Sequence, residues 1–180
     1  IWNDIREGER GVLEYVGWNK VRRRIDVVLA EGQDIERWIM GSENSQAATT
    51  FKLLFDCDDP TFYSPRSVSV TSAFNGTTPV SVTCSNPGDC DAYPLITYSG
   101  AVAEPKVTAP DGRVFEIAGE LAAGDTLVLD MDPRAASVTY TPSGGSGTSW
   151  WGKRTAASQL IRVPPGNEAL IFEATSGTAS

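Results

Sequence analysis

Five residues at the end of a Gly/Ser-rich stretch carry the most chemical potential in this chain: Trp150-Trp151-Gly152-Lys153-Arg154. Two aromatic rings beside two cations suit a stacking platform for a sugar or a hot spot for a protein partner. The same residues suit a plainer task, in which one Trp caps a core beneath a long loop. Adjacent residues of an extended chain point to opposite faces, so one ring is expected inside and the other outside. A second cluster, Asp56, Asp58 and Asp59, offers oxygen ligands of the kind calcium accepts. It lacks the central Gly and terminal Glu of an EF-hand loop. A solvated strand exit, its carboxylates accepting backbone N–H bonds, is the favoured reading, and no metal site is expected. Glu116, Glu120, Asp125, Asp130 and Asp132 match a glycosidase pair by residue type alone, while Asp111 and Asp125 adjoin turn glycines and read as structural.

The chain contains no histidine. That excludes His-dependent triads, HExxH zinc sites and imidazole proton shuttles. Ser-x-x-Lys and glycine-rich phosphate loops are also lacking. The sequence therefore points away from an enzyme and calls for no cofactor. Cysteines number three, with no C-x-x-C pair. Cys84 and Cys90 bracket Ser-Asn-Pro-Gly-Asp, a tight-turn sequence; a disulfide across it and two separate thiols are both compatible with that spacing.

With 15 Lys and Arg against 23 Asp and Glu, the net charge is −8. Basic residues cluster only at Arg22-Arg23-Arg24, too few for a nucleic-acid footprint, so their expected partner is acidic surface in this chain or a neighbouring subunit. An acidic surface also disfavours anionic membranes, and no apolar run approaches the ~18 residues of a membrane span. No signal peptide opens the chain, and its first residue is Ile, so it reads as part of something longer. At 180 residues, 41% hydrophobic and with five Trp, it can fill a core of one ordinary domain or two small ones.

The elements that would position these groups differ on the two sides of Pro65. Val12 to Val16 suggests a strand ending near Gly17. Val21 to Leu29 alternates with period two, placing Val21, Arg23, Ile25, Val27 and Leu29 on one face, where Arg23 breaks the apolar pattern, and Arg22, Arg24 and Asp26 on the other. Ile35, Trp38 and Ile39 fall at helical spacing between Gly32 and Gly41, behind Asp34 and Glu36 in the first turn. Phe51 to Phe55 reads as a strand. From Ser67 onward the helical period disappears. Short alternating runs follow: Val68–Thr71, Val80–Cys84, Leu95–Ser99, Lys106–Thr108, Val114–Ile117, Thr126–Asp130, Val138–Tyr140 and Ala169–Glu173. Asn75-Gly76, Pro87-Gly88-Asp89, Pro110-Asp111-Gly112, Gly124-Asp125 and Pro164-Pro165-Gly166-Asn167 separate them with turn chemistry. Such a series predicts an antiparallel β-sandwich. The expected fold class is therefore mainly β: residues 1–66, strand–helix–strand with one short helix, then residues 67–180, the sandwich.

Four stretches, in order, resemble signatures of the phage distal tail protein family, also called siphovirus-type tail components or minor tail proteins. Phe51-Lys52-Leu53-Leu54-Phe55-Asp56-Cys57-Asp58-Asp59-Pro60-Thr61-Phe62-Tyr63 is similar to its F-x-A/C-x-D-P-x-F/W-Y. Ser85-Asn86-Pro87-Gly88-Asp89 followed by Pro94-Leu95-Ile96-Thr97-Tyr98-Ser99-Gly100 is similar to N-x-G-[DT]…P-x-I-x-[IV]-x-G. Leu121 to Asp130 resembles L-x-x-G-D-x-L-x-I-D. Trp150 with Pro164 to Phe172 resembles W…L-x-P-G-x-N-x-[IL]-x-F. The likeness covers about residues 20–180; only the last part of the family's N-terminal ring-forming β-domain is represented, and the cysteines and the Gly/Ser loop are this chain's own. The resemblance implies a virion structural protein, assembled in the host cytoplasm, that joins tail tube to tip or baseplate as a ring, usually a hexamer. Its C-terminal domain would be a galectin-like β-sandwich holding other tail proteins. It brings no catalytic residues. A carbohydrate-binding module for host cell-wall glycan, using Trp150 or Trp151, is the rival from another class. Fold likeness alone does not fix function.

Overall fold

In the computed structural model, residues 10–17, 20–30, 54–58, 62–64, 67–73 and 78–175 are described. They divide into two compact units, Ile1–Ser67 and Val68–Ser180, within two residues of the division expected at Pro65. The described residues are mainly β. The helix expected over 32–41, and most of the strand expected over 51–55, lie outside the described residues.

Among its described residues the first unit holds a three-stranded antiparallel sheet in the order β1-β2-β3, with β1 at Arg10–Val16, β2 at Arg22–Leu29 and β3 at Phe55–Asp56. Between β1 and β2 the Gly17 N–H donates to the Val21 carbonyl, and Lys20 turns the chain at φ 62. The alternation read in β2 is the one that is buried: Ile25 and Val27 face in and Asp26 faces out. Gly11 lies opposite Val27 and Leu13 opposite Ile25 on the face that buries β2, and Glu14 lies opposite Arg24 on the other. The arginine run finds acidic partners within the chain: Glu14 holds both Arg22 and Arg24 at 3.1 Å. Such exposed pairs fix the register more than they add stability.

The second unit holds β4 (Val80–Asn86), β5 (Leu95–Ser99), β6 (Val102–Ala103), β7 (Lys106–Thr108), β8 (Val114–Glu116), β9 (Glu120–Leu121), β10 (Thr126–Asp130), β11 (Ser137–Thr141), β12 (Thr148–Ser149) and β13 (Gly166–Glu173), with a 3-10 turn at Trp151–Lys153. One sheet runs β12-β11-β10-β5 and the other β4-β13-β7-β8, all pairs antiparallel; β6 and β9 form a separate ladder. Leu127, Leu129 and Val138 from the first sheet share one core with Val107, Phe115 and Leu170 from the second. Period-two burial in β10 and β5 explains why each strand gives only alternate residues to that core. Tyr98 ties the layers together: its ring meets Phe172 edge-on at 5.9 Å, and its hydroxyl donates to the Lys106 carbonyl at 3.1 Å. This is an antiparallel β-sandwich.

One expected strand is corrected. Val68–Thr71 joins no sheet; residues 67–73 are irregular and exposed, with Val68 67% and Val70 55% accessible. Alternation of Ser and Val confers strand propensity, but a strand exists only where a ladder takes up its backbone groups.

Candidate functional site

The Gly/Ser stretch is a tight connection between β11 and β12. Gly144 takes φ +71, and a Cβ on Gly145 would sit 2.6 Å from Pro142 Cγ, so the reversal needs these glycines. Thr148 and Ser149 then pair back onto Tyr140 and Thr139, and the Trp150 N–H donates to the Val138 carbonyl at 2.8 Å. The pair of tryptophans is thus delivered by sheet hydrogen bonds.

Neither ring is wholly inside or outside, which corrects the in-and-out expectation. Both are half-buried and pack against the sandwich core. The 3-10 turn breaks the extended geometry that would have sent them to opposite faces. Trp150 stacks on Tyr140 with centroids 4.0 Å apart and planes 13° from parallel. Lys153 Nζ lies 3.6 Å from the same ring centre. Two groups this close to one centroid must occupy opposite faces, so both faces of Trp150 are covered. Its rim leans on Gly119, where a Cβ would come within 2.9 Å of Trp150 Cζ3. The Arg154 guanidinium lies 3.7 Å over Trp151, and its Nε donates to the Trp151 carbonyl at 2.9 Å. The Ala118 N–H donates to the Lys153 carbonyl, and Ile117 bridges to Arg154, anchoring the turn from below. The four expected residues are therefore brought together, as two cation–aromatic pairs turned inward on one another.

The stack continues to two residues that the sequence did not single out for this contact. The Tyr140 hydroxyl donates to Asp125 Oδ2 at 2.7 Å. The same buried carboxylate accepts the Ala122 N–H at 2.9 Å on Oδ2 and the Ser143 N–H at 2.9 Å on Oδ1. Gly124, at φ +87, gives the turn its left-handed step. The Tyr140 hydrogen bond, then the two amides, hold the Asp125 carboxyl below the usual carboxylate range, and the same bond raises the Tyr140 hydroxyl. A depressed folded pKa gives stability that is complete above the unfolded value of about 3.9 and lost as pH falls through the folded value. Asp125→Asn puts an amide NH2 where N–H groups already point. It is expected to lower Tm by several degrees at pH 7 and to flatten the acid limb of the stability curve; thermal unfolding of both proteins from pH 7 to pH 2 checks this, and an unchanged acid limb refutes it.

Of the other candidate carboxylates, Asp130, Asp132, Asp111 and Asp58 are engaged in turns and ion pairs, while Glu120 sits in β9 opposite Ala103 and Asp56 in β3 opposite Val28. Asp130 Oδ1 accepts the Asp132 N–H, and Asp132 accepts the Arg134 N–H. Asp111 accepts the Arg113 N–H and faces Arg162, which also holds Asp91 at 2.7 Å. Glu116 lies opposite Lys106, whose Nζ meets Glu173 at 2.7 Å. Asp58 pairs with Arg10 at 3.0 Å, and Asp59 lies outside the described residues. Among the described residues no three Asp, Glu or Cys gather as a metal site.

Cys84 and Cys90 do not form the disulfide considered from sequence; both are free thiols. Their turn is closed instead by Asn86, which donates from Nδ2 to the Cys90 and Val163 carbonyls, both at 2.8 Å, and accepts the Gly88 N–H at 3.0 Å. Cys84 is half-buried against the core, which raises its thiol pKa, and Cys90 is exposed.

Comparison of the chain with protein-family models, with curated proteins and with solved structures finds no match in any of the three.

Proposed function

We propose that this chain is a structural component of a phage tail tip: a distal-tail hub protein that assembles with itself into a ring, a hexamer by the family's habit, and links tail tube to tip or baseplate. On this reading the sandwich of Val68–Ser180 is the galectin-like outer domain, and the sheet of the first unit belongs to the ring. The observation that carries the reading is where the residues of the resemblance fall. Asn86 and Asp125 clamp turns, Gly124 and Gly166 take positive φ, Trp150 packs on the core, and Leu127, Leu129 and Leu170 build it. A signature made of turn and core residues marks a scaffold, whose task is to present surfaces. The ion pairs around Arg162, Lys106 and Asp111 likewise hold loops and strands in place.

The glycan-module reading draws less support. Sugar stacking needs a bare aromatic face, and Trp150 has none, while Trp151 has a guanidinium over one side. The two readings separate in solution. The purified chain is expected to co-elute with the tail-tube or tip protein of its own phage in size-exclusion chromatography with light scattering. Failure to bind either, together with cell-wall pelleting that Trp151→Ala abolishes, would overturn the hub and favour the module.

A further inference from the structure

We infer that β4 is a docking edge for a second copy of this chain, and that residues 68–73 of that copy are the strand it receives. Three observations lead there. First, the sequence repeats itself: Val68-Ser69-Val70-Thr71-Ser72 is followed twelve residues later by Val80-Ser81-Val82-Thr83-Cys84, which is β4. Second, both halves of a pairing stand open. β4 is hydrogen-bonded to β13 on one side, and among the described residues nothing pairs with its other side. Its inward residues Val80, Val82 and Cys84 are only half-buried, so the core is thinly covered along that edge. Residues 68–73 belong to no sheet and hold Val68 and Val70 in water. Third, the region is electrically bare. No charged side chain occurs between Arg66 and Asp89, in a chain whose net charge is −8.

These features fit one another. Laid along β4, the segment offers its backbone groups to the free edge. Its alternation sets Val68 and Val70 beside Val80 and Val82 on the inner face, and Ser69 and Thr71 beside Ser81 and Thr83 on the outer one. A regular edge strand without charge or internal proline lacks the usual guards against edge pairing. Two copies with a strong like charge approach most easily where neither carries any. The single chain leaves its own segment unpaired although only residues 74–79 separate it from β4, so the geometry points to a donor on another molecule.

The contact deepens the scaffold reading by naming where copies join, and it can fail separately. The test uses the full chain, light scattering over a concentration series, and amide hydrogen exchange. Val68→Asp/Val70→Asp alters only exposed, unpaired positions; Thr83→Lys charges the outer face of β4. Each variant should keep the parental circular dichroism and weaken self-association by about tenfold or more, and β4 amides should gain protection as concentration rises. A chain that is monomeric throughout overturns the inference. So does β4 protection that is independent of concentration and lost in Val68→Asp/Val70→Asp, which would mean closure within one chain. Rings that persist in both variants overturn this contact and leave the hub reading standing. Copies that join through β4 yet ignore the tail-tube and tip proteins uphold the contact and remove the hub.

Discussion

Trp150→Ala is expected to cost about 3 kcal/mol of folding stability, because one substitution removes three kinds of contact. The ring gives up its stack on Tyr140, its cover from Lys153 and its packing against the core beside Gly119. Aromatic stacking adds about 0.5–1.5 kcal/mol beyond buried area, and an exposed cation–π pair about 0.5–1 kcal/mol. The remainder is the cavity left against the core. Lys153→Ala should therefore cost far less than the tryptophan. Urea unfolding followed by circular dichroism measures both. A loss below about 1 kcal/mol for Trp150→Ala would mean that the ring is free to serve a ligand, and the account of it as a structural cap would fail.

The second large effect is expected from Asn86→Asp, a change of one atom's identity. The Asn86 amide nitrogen donates to two carbonyl oxygens, those of Cys90 and Val163. A carboxylate in that place faces both oxygens with negative charge and no proton to give. The expected loss is about 2–4 kcal/mol at pH 7, for an unpaired charge in a largely buried position. The sign with pH follows. Repulsion raises the new carboxyl's folded pKa above its unfolded value of about 3.9, so the deficit is greatest at neutral pH and shrinks as acid supplies a proton. Unfolding at pH 7 and at pH 4.5 tests this; a deficit that is equal at both, or larger in acid, contradicts it.

Much of the architecture was readable because alternation survives in single strands. Ile25 and Val27 in β2, and Leu127 and Leu129 in β10, announce their buried face without any partner in view. Val102–Ala103, Glu120–Leu121 and Thr148–Ser149 were invisible because two residues have no period. Val68–Thr71 was over-read for the opposite reason: its period is clear, but periodicity says nothing about whether a neighbour exists. At the tryptophan corner, residue types were legible and relations were not. Asp125 could be read as a turn residue from Gly124. Its bond to Tyr140 depends on the register that sets Leu127 opposite Tyr140, a fact of pairing that no local pattern carries. The thiols show the same limit, since six residues of spacing permit a bridge, whereas the Asn86 side chain already spans the turn.

The place of β13 has a consequence for biosynthesis. It lies between β4 and β7, and neither of those strands touches the other without it. Until residues 166–173 have been made, β4 and β7 have no shared neighbour to join them. The sheet can knit only when residues 166–173 arrive, and the nascent chain must carry unsatisfied edges until then. Closure of this sheet is therefore expected to wait for β13, with the delay that distant pairings impose.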